Sequence, residues 1–249
     1  GFTVPALNIR GLPYELCRAI FRTAIKMNAG AFIFELAKSE MGYTFQKPQE
    51  LSTVILGAAI KEGYTGSVFI QGDHFQVNAK NYAQNPKKEV AGLKNLIESG
   101  IAGGFYNIDI DTSTLVDLSK PNVVEQQRAN FEVGVELTEH ARKFEPEGIT
   151  ISVGGEIGEV GKENSNEQEL RAYLDNFNEL LEKGLAKETD LKYMTVTDGN
   201  FLPPIEILNK IEGQQLGQLL KITISGFSVD KTIDGSISSL KTWNDMLAS

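Results

Sequence analysis

The chain alternates short apolar runs with longer segments whose apolar residues recur every three to four positions. The short runs are FTVPALNI (2–9), AFIFELA (31–37), SVFIQG (67–72), GFYNIDI (104–110), ITISVGGEI (149–157), LKYMTVT (191–197) and KITISGF (221–227). The longer segments lie at 12–28, 48–64, 87–101, 123–144, 167–183 and 237–248. Runs apolar at successive positions are typical of strands covered on both faces, and the helical spacing between them indicates crossovers. The alternation predicts an α/β fold with parallel strands.

The number of alternations and the chain length narrow the fold further. A single (β/α)8 barrel commonly has about 250 residues, and this chain has 249. We therefore predict one domain over residues 1–249, a TIM (β/α)8-type barrel. No eighth strand is evident after residue 185, so the last strand is expected to be missing or irregular, and an open sheet stays an alternative.

Composition and charge exclude several classes of partner. Hydrophobic residues make up 41% of the sequence and charged residues 23%, as in a globular protein with a real core. The net charge of −9 repels polyanions, which predicts no nucleic-acid or anionic-membrane partner. No apolar run reaches the 18 residues of a membrane span. The single Cys17 permits no internal disulfide, which predicts a reducing, cytoplasmic location.

Polar side chains follow several predicted strands at the point where each strand ends. Asp73 and His74 follow the third strand, Asp109 and Asp111 the fourth, and Glu156 the fifth. Because the carboxyl ends of parallel strands meet at one edge, we expect these groups to converge. Imidazole and carboxylate together suit a divalent metal that polarises a carbonyl, with Asp73 carrying a proton. The alternative is that these residues only cap turns and bond to loops.

Five motifs, in order along residues 2–180, resemble the class II, metal-dependent aldolases, in particular a fructose- or tagatose-bisphosphate aldolase-like branch. The motifs are VPALNIRG, GAFIFELAKSEMGYT, VFIQGDHFQVNAKNY, GFYNIDIDTSTLVDLSKP and ISVGGEIGEVGKENS. The resemblance implies a TIM barrel that forms homo-oligomers and acts in cytoplasmic carbohydrate metabolism such as glycolysis. It also implies a carbon–carbon lyase, which cleaves a phosphorylated ketose reversibly through a metal-stabilised enediolate.

The resemblance assigns roles to individual residues. Asp73 matches the family's proton-transferring catalytic aspartate, and His74 matches its first metal-binding histidine. Asp111 of DTS matches the aspartate of an Asp-Gly-Ser strand end, which supports the metal or a second metal site. Glu156 of GEIGEVG matches a glutamate near the metal, and Asn8 of ALNI matches an asparagine that lines the substrate cleft. The implied cofactor is a divalent metal ion, zinc in the family.

The C-terminal part of the chain departs from the family pattern. The family has two more metal-binding histidines at the ends of strands six and seven, where this chain reads TVTDGNF and TISGFSVD. Ser225 and Gly226 of the SGFS segment would offer backbone N–H groups to a phosphate. A site with one histidine and carboxylates favours magnesium, manganese or calcium over zinc. The departure also supports a second hypothesis, a non-catalytic aldolase-like barrel that stabilises or regulates a partner subunit.

Overall fold

The computed structural model describes residues 4–158, 165–184 and 194–197 of the chain. Strands and helices alternate along these residues, as the hydrophobic pattern predicts. The strands are Ala6–Asn8 (β1), Ile33–Ala37 (β2), Phe69–Asp73 (β3), Asn107–Ile110 (β4), Ser152–Glu156 (β5) and Met194–Thr197 (β6). The helices are Pro13–Met27 (α1), Lys38–Thr44 (α2), Pro48–Glu62 (α3), Ala79–Gln84 (α4), Pro86–Ala102 (α5), Val123–Arg142 (α6) and Glu167–Gly184 (α7). None of these helices is long and apolar enough to cross a membrane.

The described residues form two compact units. The first consists of residues 4–36 and 40–71, and the second of residues 37–39, 72–158, 165–184 and 194–197. In the first unit β1 and β2 pair in parallel, with Asn8 beside Glu35. The prediction of a single domain over residues 1–249 stays a prediction.

Aromatic side chains form much of the core of the first unit. The rings of Phe21, Phe32, Phe34 and Tyr64 pack with centroids between 4.8 and 6.0 Å apart. Tilted and edge-on aromatic pairs at such distances stabilise a core beyond the area that they bury. α3 begins at Pro48 and is closed by Gly63, whose φ of 72° is left-handed. Glycine adopts that conformation without steric cost, and this confirms the helix boundary predicted from the sequence.

Three parallel strands form the sheet of the second unit. β4 pairs with β5, with Ile110 beside Gly155, and β5 pairs with β6. The chain after β3 runs beside β4, because the Phe75 N–H donates to the Asp109 carbonyl at 2.9 Å and the Val77 N–H to the Asp111 carbonyl at 2.9 Å. The carboxyl ends of these segments therefore lie at one edge.

The structure confirms the α/β alternation and the parallel pairing. Six of the seven predicted strands are present, and all five helices predicted before residue 185 are present within a few residues of their expected bounds. The short helices α2 and α4 were not predicted, because six or seven residues give too little periodicity to detect. The seventh predicted strand (221–227) and the predicted helix at 237–248 lie outside the described residues.

Candidate metal centre

The candidate site lies at the carboxyl-terminal edge of the sheet in the second unit. Asp73 ends β3, Asp111 follows β4 directly, and Glu156 ends β5. His74 has a φ of 44°, a left-handed conformation that is uncommon outside glycine. This turn takes the chain out of β3 and sets the direction of the imidazole. The strand ends therefore bring together a histidine and carboxylates from three separate segments.

Three side chains predicted as metal ligands are within contact distance of one another. His74 Nδ1 lies 3.1 Å from Asp111 Oδ2 and 3.2 Å from Glu156 Oε1. Candidate ligand atoms of all three residues lie within 4.8 Å of one another. Asp111 and Glu156 are buried, whereas the His74 side chain is 36% exposed. The cluster is thus a mostly buried pair of carboxylates with an imidazole that reaches solvent.

Asp73, the predicted catalytic residue, lies on the other side of the imidazole. Its Oδ1 is 3.9 Å from His74 Nε2, longer than a hydrogen bond. The Asp73 side chain is 15% exposed, so solvent reaches this carboxylate. Asp73 therefore lies next to the cluster at the Nε2 side of His74, and it does not occupy the Nδ1 atom at which a metal ion would bind.

The charges of the cluster shift its protonation equilibria strongly. A hydrogen bond with Asp111, reinforced by the neighbouring carboxylates, raises the pKa of the His74 imidazole to about 10 against the opposing effect of burial. Burial alone would raise the pKa of Asp111, but its hydrogen bonds, with His74 first among them, lower that pKa overall. Among the residues that the structure describes, His74 is therefore a cation in contact with both buried carboxylates at neutral pH.

Two more residues lie beside the cluster: Asp109, which the sequence placed at this edge without a role, and Gln76, which it did not indicate. Asp109 Oδ2 accepts the His74 backbone N–H at 3.2 Å, and burial, followed by the charges of Asp73 and Asp111, raises the pKa of Asp109 to about 7. Gln76 donates through Nε2 to Asp111 Oδ2. No local pattern indicates Gln76, because the chain turns at residues 74–76, where the Gln76 N–H donates to the His74 carbonyl at 2.6 Å, and strand alternation does not hold across a turn.

The donor set fits a divalent cation. Bonds of about 2.1 Å to one ion place adjacent ligand atoms roughly 3.0 to 3.4 Å apart in octahedral or tetrahedral coordination. The separations of 3.1 and 3.2 Å from His74 Nδ1 to the two carboxylates match that range. Asp109 Oδ1 is also buried without a hydrogen-bond partner among the described residues. His74, Asp111 and Glu156 are therefore the residues that would hold the ion.

The predicted substrate-binding residues are not among the residues of this cluster. Asn8 belongs to the first unit, where its Nδ2 donates to Glu40 Oε2 at 3.2 Å and the Arg10 Nε also donates to the buried Glu40. Ser225 and Gly226 lie outside the described residues. The chain's other histidine, His140 on α6, contacts Glu98 Oε1 through Nε2 at 2.8 Å.

Comparison with known proteins identifies the fold class alone. No protein-family model and no curated protein matches the chain. The fold is similar to the crystal structure of a probable tagatose 6 phosphate kinase from Sinorhizobium meliloti 1021, with a TM-score of 0.51 and 15% sequence identity. That similarity covers 71% of this chain and 44% of the other, so the matched part spans less than half the length of that protein.

Proposed function

We propose that this protein is a class II aldolase-type lyase with a TIM-barrel fold, which cleaves a phosphorylated ketose reversibly with a divalent metal ion. The observation that carries the proposal is the contact of His74 Nδ1 with Asp111 and Glu156 at 3.1 and 3.2 Å. These residues come from the motifs that resemble the metal-dependent aldolases. In this proposal the chain acts as a cytoplasmic homo-oligomer in carbohydrate metabolism.

Each residue has a distinct task in this reaction. His74, Asp111 and Glu156 hold the ion, which supplies Lewis-acid polarisation of a substrate carbonyl when bound. Asp73 takes and returns the proton on the substrate hydroxyl, because it is partly exposed and lies next to the His74 imidazole without occupying Nδ1. Gln76 orients the Asp111 carboxylate through its hydrogen bond. The substrate-binding roles of Asn8, Ser225 and Gly226 stay predictions from the sequence.

The identity of the metal follows from the donor set. The family resemblance implies zinc, which imidazole nitrogen also suits. One nitrogen with two carboxylate oxygens is nevertheless a hard donor set, which magnesium and manganese prefer. We therefore expect manganese or magnesium to support turnover at least as well as zinc.

Chelation tests the proposed chemistry directly. The purified chain is incubated with fructose 1,6-bisphosphate or tagatose 1,6-bisphosphate, and triose phosphate release is followed through a coupled dehydrogenase. We expect cleavage with added metal, its loss after exhaustive EDTA treatment, and its return with excess Mn²⁺, Mg²⁺ or Zn²⁺. Cleavage that survives complete removal of metal would overturn the assignment of a metal-dependent lyase.

The substitution Asp73→Asn separates proton transfer from metal binding. The amide keeps the shape of the carboxylate but cannot accept a proton at neutral pH. We expect Asp73→Asn to lower kcat by at least about 100-fold, a common contribution of a general acid or base, while elemental analysis shows unchanged metal content. Loss of metal from this variant would show that Asp73 is a ligand instead.

A second candidate function is a catalytically silent barrel that stabilises or regulates an active aldolase subunit. The observation that favours it is that the cluster contains one histidine among the described residues, whereas the family resemblance implies three. Co-purification with an active homologue, with neither turnover nor bound metal in the isolated chain, would support this function. Full turnover by the purified chain alone would exclude it.

A further inference from the structure

Helix α6 presents polar side chains to the interior of the second unit. Gln127 and Asn130 are 1% and 0% exposed, although the rest of this face is mainly apolar. Burying an amide costs free energy unless its hydrogen bonds are replaced within the protein. Two such amides, three residues apart on one helix, therefore need a structural reason.

The two amides bond to the end of β5, where Glu156 lies. Asn130 Nδ2 donates to the Glu156 carbonyl at 2.8 Å and to Gln127 Oε1 at 2.9 Å. Gln127 Nε2 donates to the carbonyl of the next residue, Ile157, at 2.6 Å. Helix α6 thus holds the backbone on which the Glu156 carboxylate is carried.

The same asparagine also bonds to the segment after β4. Thr112 directly follows Asp111, and its single hydroxyl proton is shared between Asn130 Oδ1 at 2.6 Å and the Asn130 carbonyl oxygen at 2.8 Å. Thr112 is fully buried. Asn130 is consequently bonded on one side to the neighbour of Asp111 and on the other to the backbone of Glu156.

We propose that Thr112 and Asn130 are positioning residues that set the separation between the carboxylates of Asp111 and Glu156. Both protons of the Asn130 amide and its oxygen are used, so the network has one well-satisfied arrangement. Groups that orient metal ligands commonly change metal affinity 10- to 100-fold when removed. The inference about metal affinity rests on the proposed function, whereas the inference about carboxylate placement does not.

A pair of matched threonine substitutions tests the proposal. Thr112→Val removes the hydroxyl that bonds to Asn130, whereas Thr138→Val removes a similarly buried hydroxyl on α6 whose bond, within the described part of the chain, is to the Gly134 carbonyl of its own helix. Thr112→Ser keeps the hydroxyl and serves as the conservative rescue. Circular dichroism establishes that each protein is folded, and Thr112→Ala with Thr138→Ala replaces the pair if valine prevents folding.

Metal binding is the first measurement on these variants. Titration with Co²⁺, followed through its d–d absorption, gives both the affinity and the coordination geometry without any turnover. We expect Thr112→Val to weaken Co²⁺ binding about 10-fold or more and to change the spectrum. We expect the Co²⁺ affinities of Thr138→Val and Thr112→Ser to stay within about twofold of the affinity of the unsubstituted protein. That change is much smaller than the loss of about 10-fold or more expected when an orienting group is removed. Equal affinities and spectra for the two valine variants would overturn the proposal.

Crystal structures of the metal-free proteins are the second measurement. In the presence of EDTA, we expect the Asp111 and Glu156 side chains to shift or lose order in Thr112→Val but to keep their positions in Thr138→Val. Unshifted carboxylates in Thr112→Val would refute the positioning role. If the unsubstituted protein binds no Co²⁺, the proposed function fails, and these structures still decide the positioning inference.

Discussion

His74 is the residue on which the chemistry of the site depends. Its left-handed backbone, with φ of 44°, directs Nδ1 towards Asp111 and Glu156. In the metal-free protein the raised pKa of about 10 keeps the imidazole charged at neutral pH. Because the folded-state pKa exceeds the unfolded value of about 6.5, this ion pairing stabilises the fold fully below pH 6.5 and is lost as the pH rises through about 10.

The same pKa predicts proton release on metal binding. A histidine ligand must be neutral, so an ion that binds at Nδ1 displaces the proton. We expect binding of Mn²⁺ or Zn²⁺ at pH 7.5 to release about one proton from His74, measured by calorimetry in two buffers of different ionisation enthalpy. His74→Gln serves as the control, with weak binding and no such release. A binding heat independent of the buffer would contradict coordination by His74.

At the scale of elements, the junction between β3 and the following loop positions His74. Gly72 lies against the ring of Phe75, and a Cβ at position 72 would be 2.4 Å from the Phe75 Cζ. Phe75 is fully buried and also packs against Gly100 on α5. The close contact between Gly72 and Phe75 therefore restricts the conformation of the turn, and His74 lies between these two residues in the sequence.

The substitution Gly72→Ala tests this junction. The added methyl group has to displace the buried ring, and such overpacking costs about 1–3 kcal/mol of unfolding free energy. We expect a corresponding loss of stability in urea unfolding, together with weaker metal binding because His74 moves.

Gly92→Ala on α5 is the matched control for Gly72→Ala. No atom lies within 4 Å of a Cβ at position 92, and alanine is favoured over glycine within a helix by about 0.5–1 kcal/mol. This control should therefore gain stability and keep its metal affinity. Equal stability changes in the two variants would exclude the steric explanation.

At the scale of the whole molecule, the proposed metal site predicts that metal binding and folding are linked. The ligands of the candidate site lie far apart in the sequence and come together only in the native state. An ion that binds the native state alone stabilises it by about 2.7 kcal/mol at 100 times its dissociation constant. Under the proposed function, metal content is therefore expected to change the stability of this fold.

Thermal unfolding measures this linkage. We expect saturating Mn²⁺ or Zn²⁺ to raise the Tm of the unsubstituted protein, and we expect Glu156→Gln to abolish that increase. His140→Gln is the matched control, because His140 pairs with Glu98 and not with the cluster. A Tm increase that depended on His140, or that persisted in Glu156→Gln, would show that the metal binds elsewhere.

The secondary structure and the candidate residues could be predicted from the sequence, because both depend on local patterns. Apolar runs and helical spacing identified six strands and five helices within the described residues, and polar residues after the strands indicated Asp73, His74, Asp111 and Glu156. The motif resemblance supplied the proposed chemistry. Closure of the barrel and the roles of Ser225 and Gly226 stay predictions.

Only the tertiary structure decided how these residues meet. The placement of His74 Nδ1 between two buried carboxylates depends on the register of β4 with β5 and on the left-handed turn after β3. The bonds from Asn130 to Thr112 and Glu156 depend on how α6 packs against the strand ends. Such contacts join residues far apart in sequence, and their geometry is set by packing rather than by any local pattern of residues.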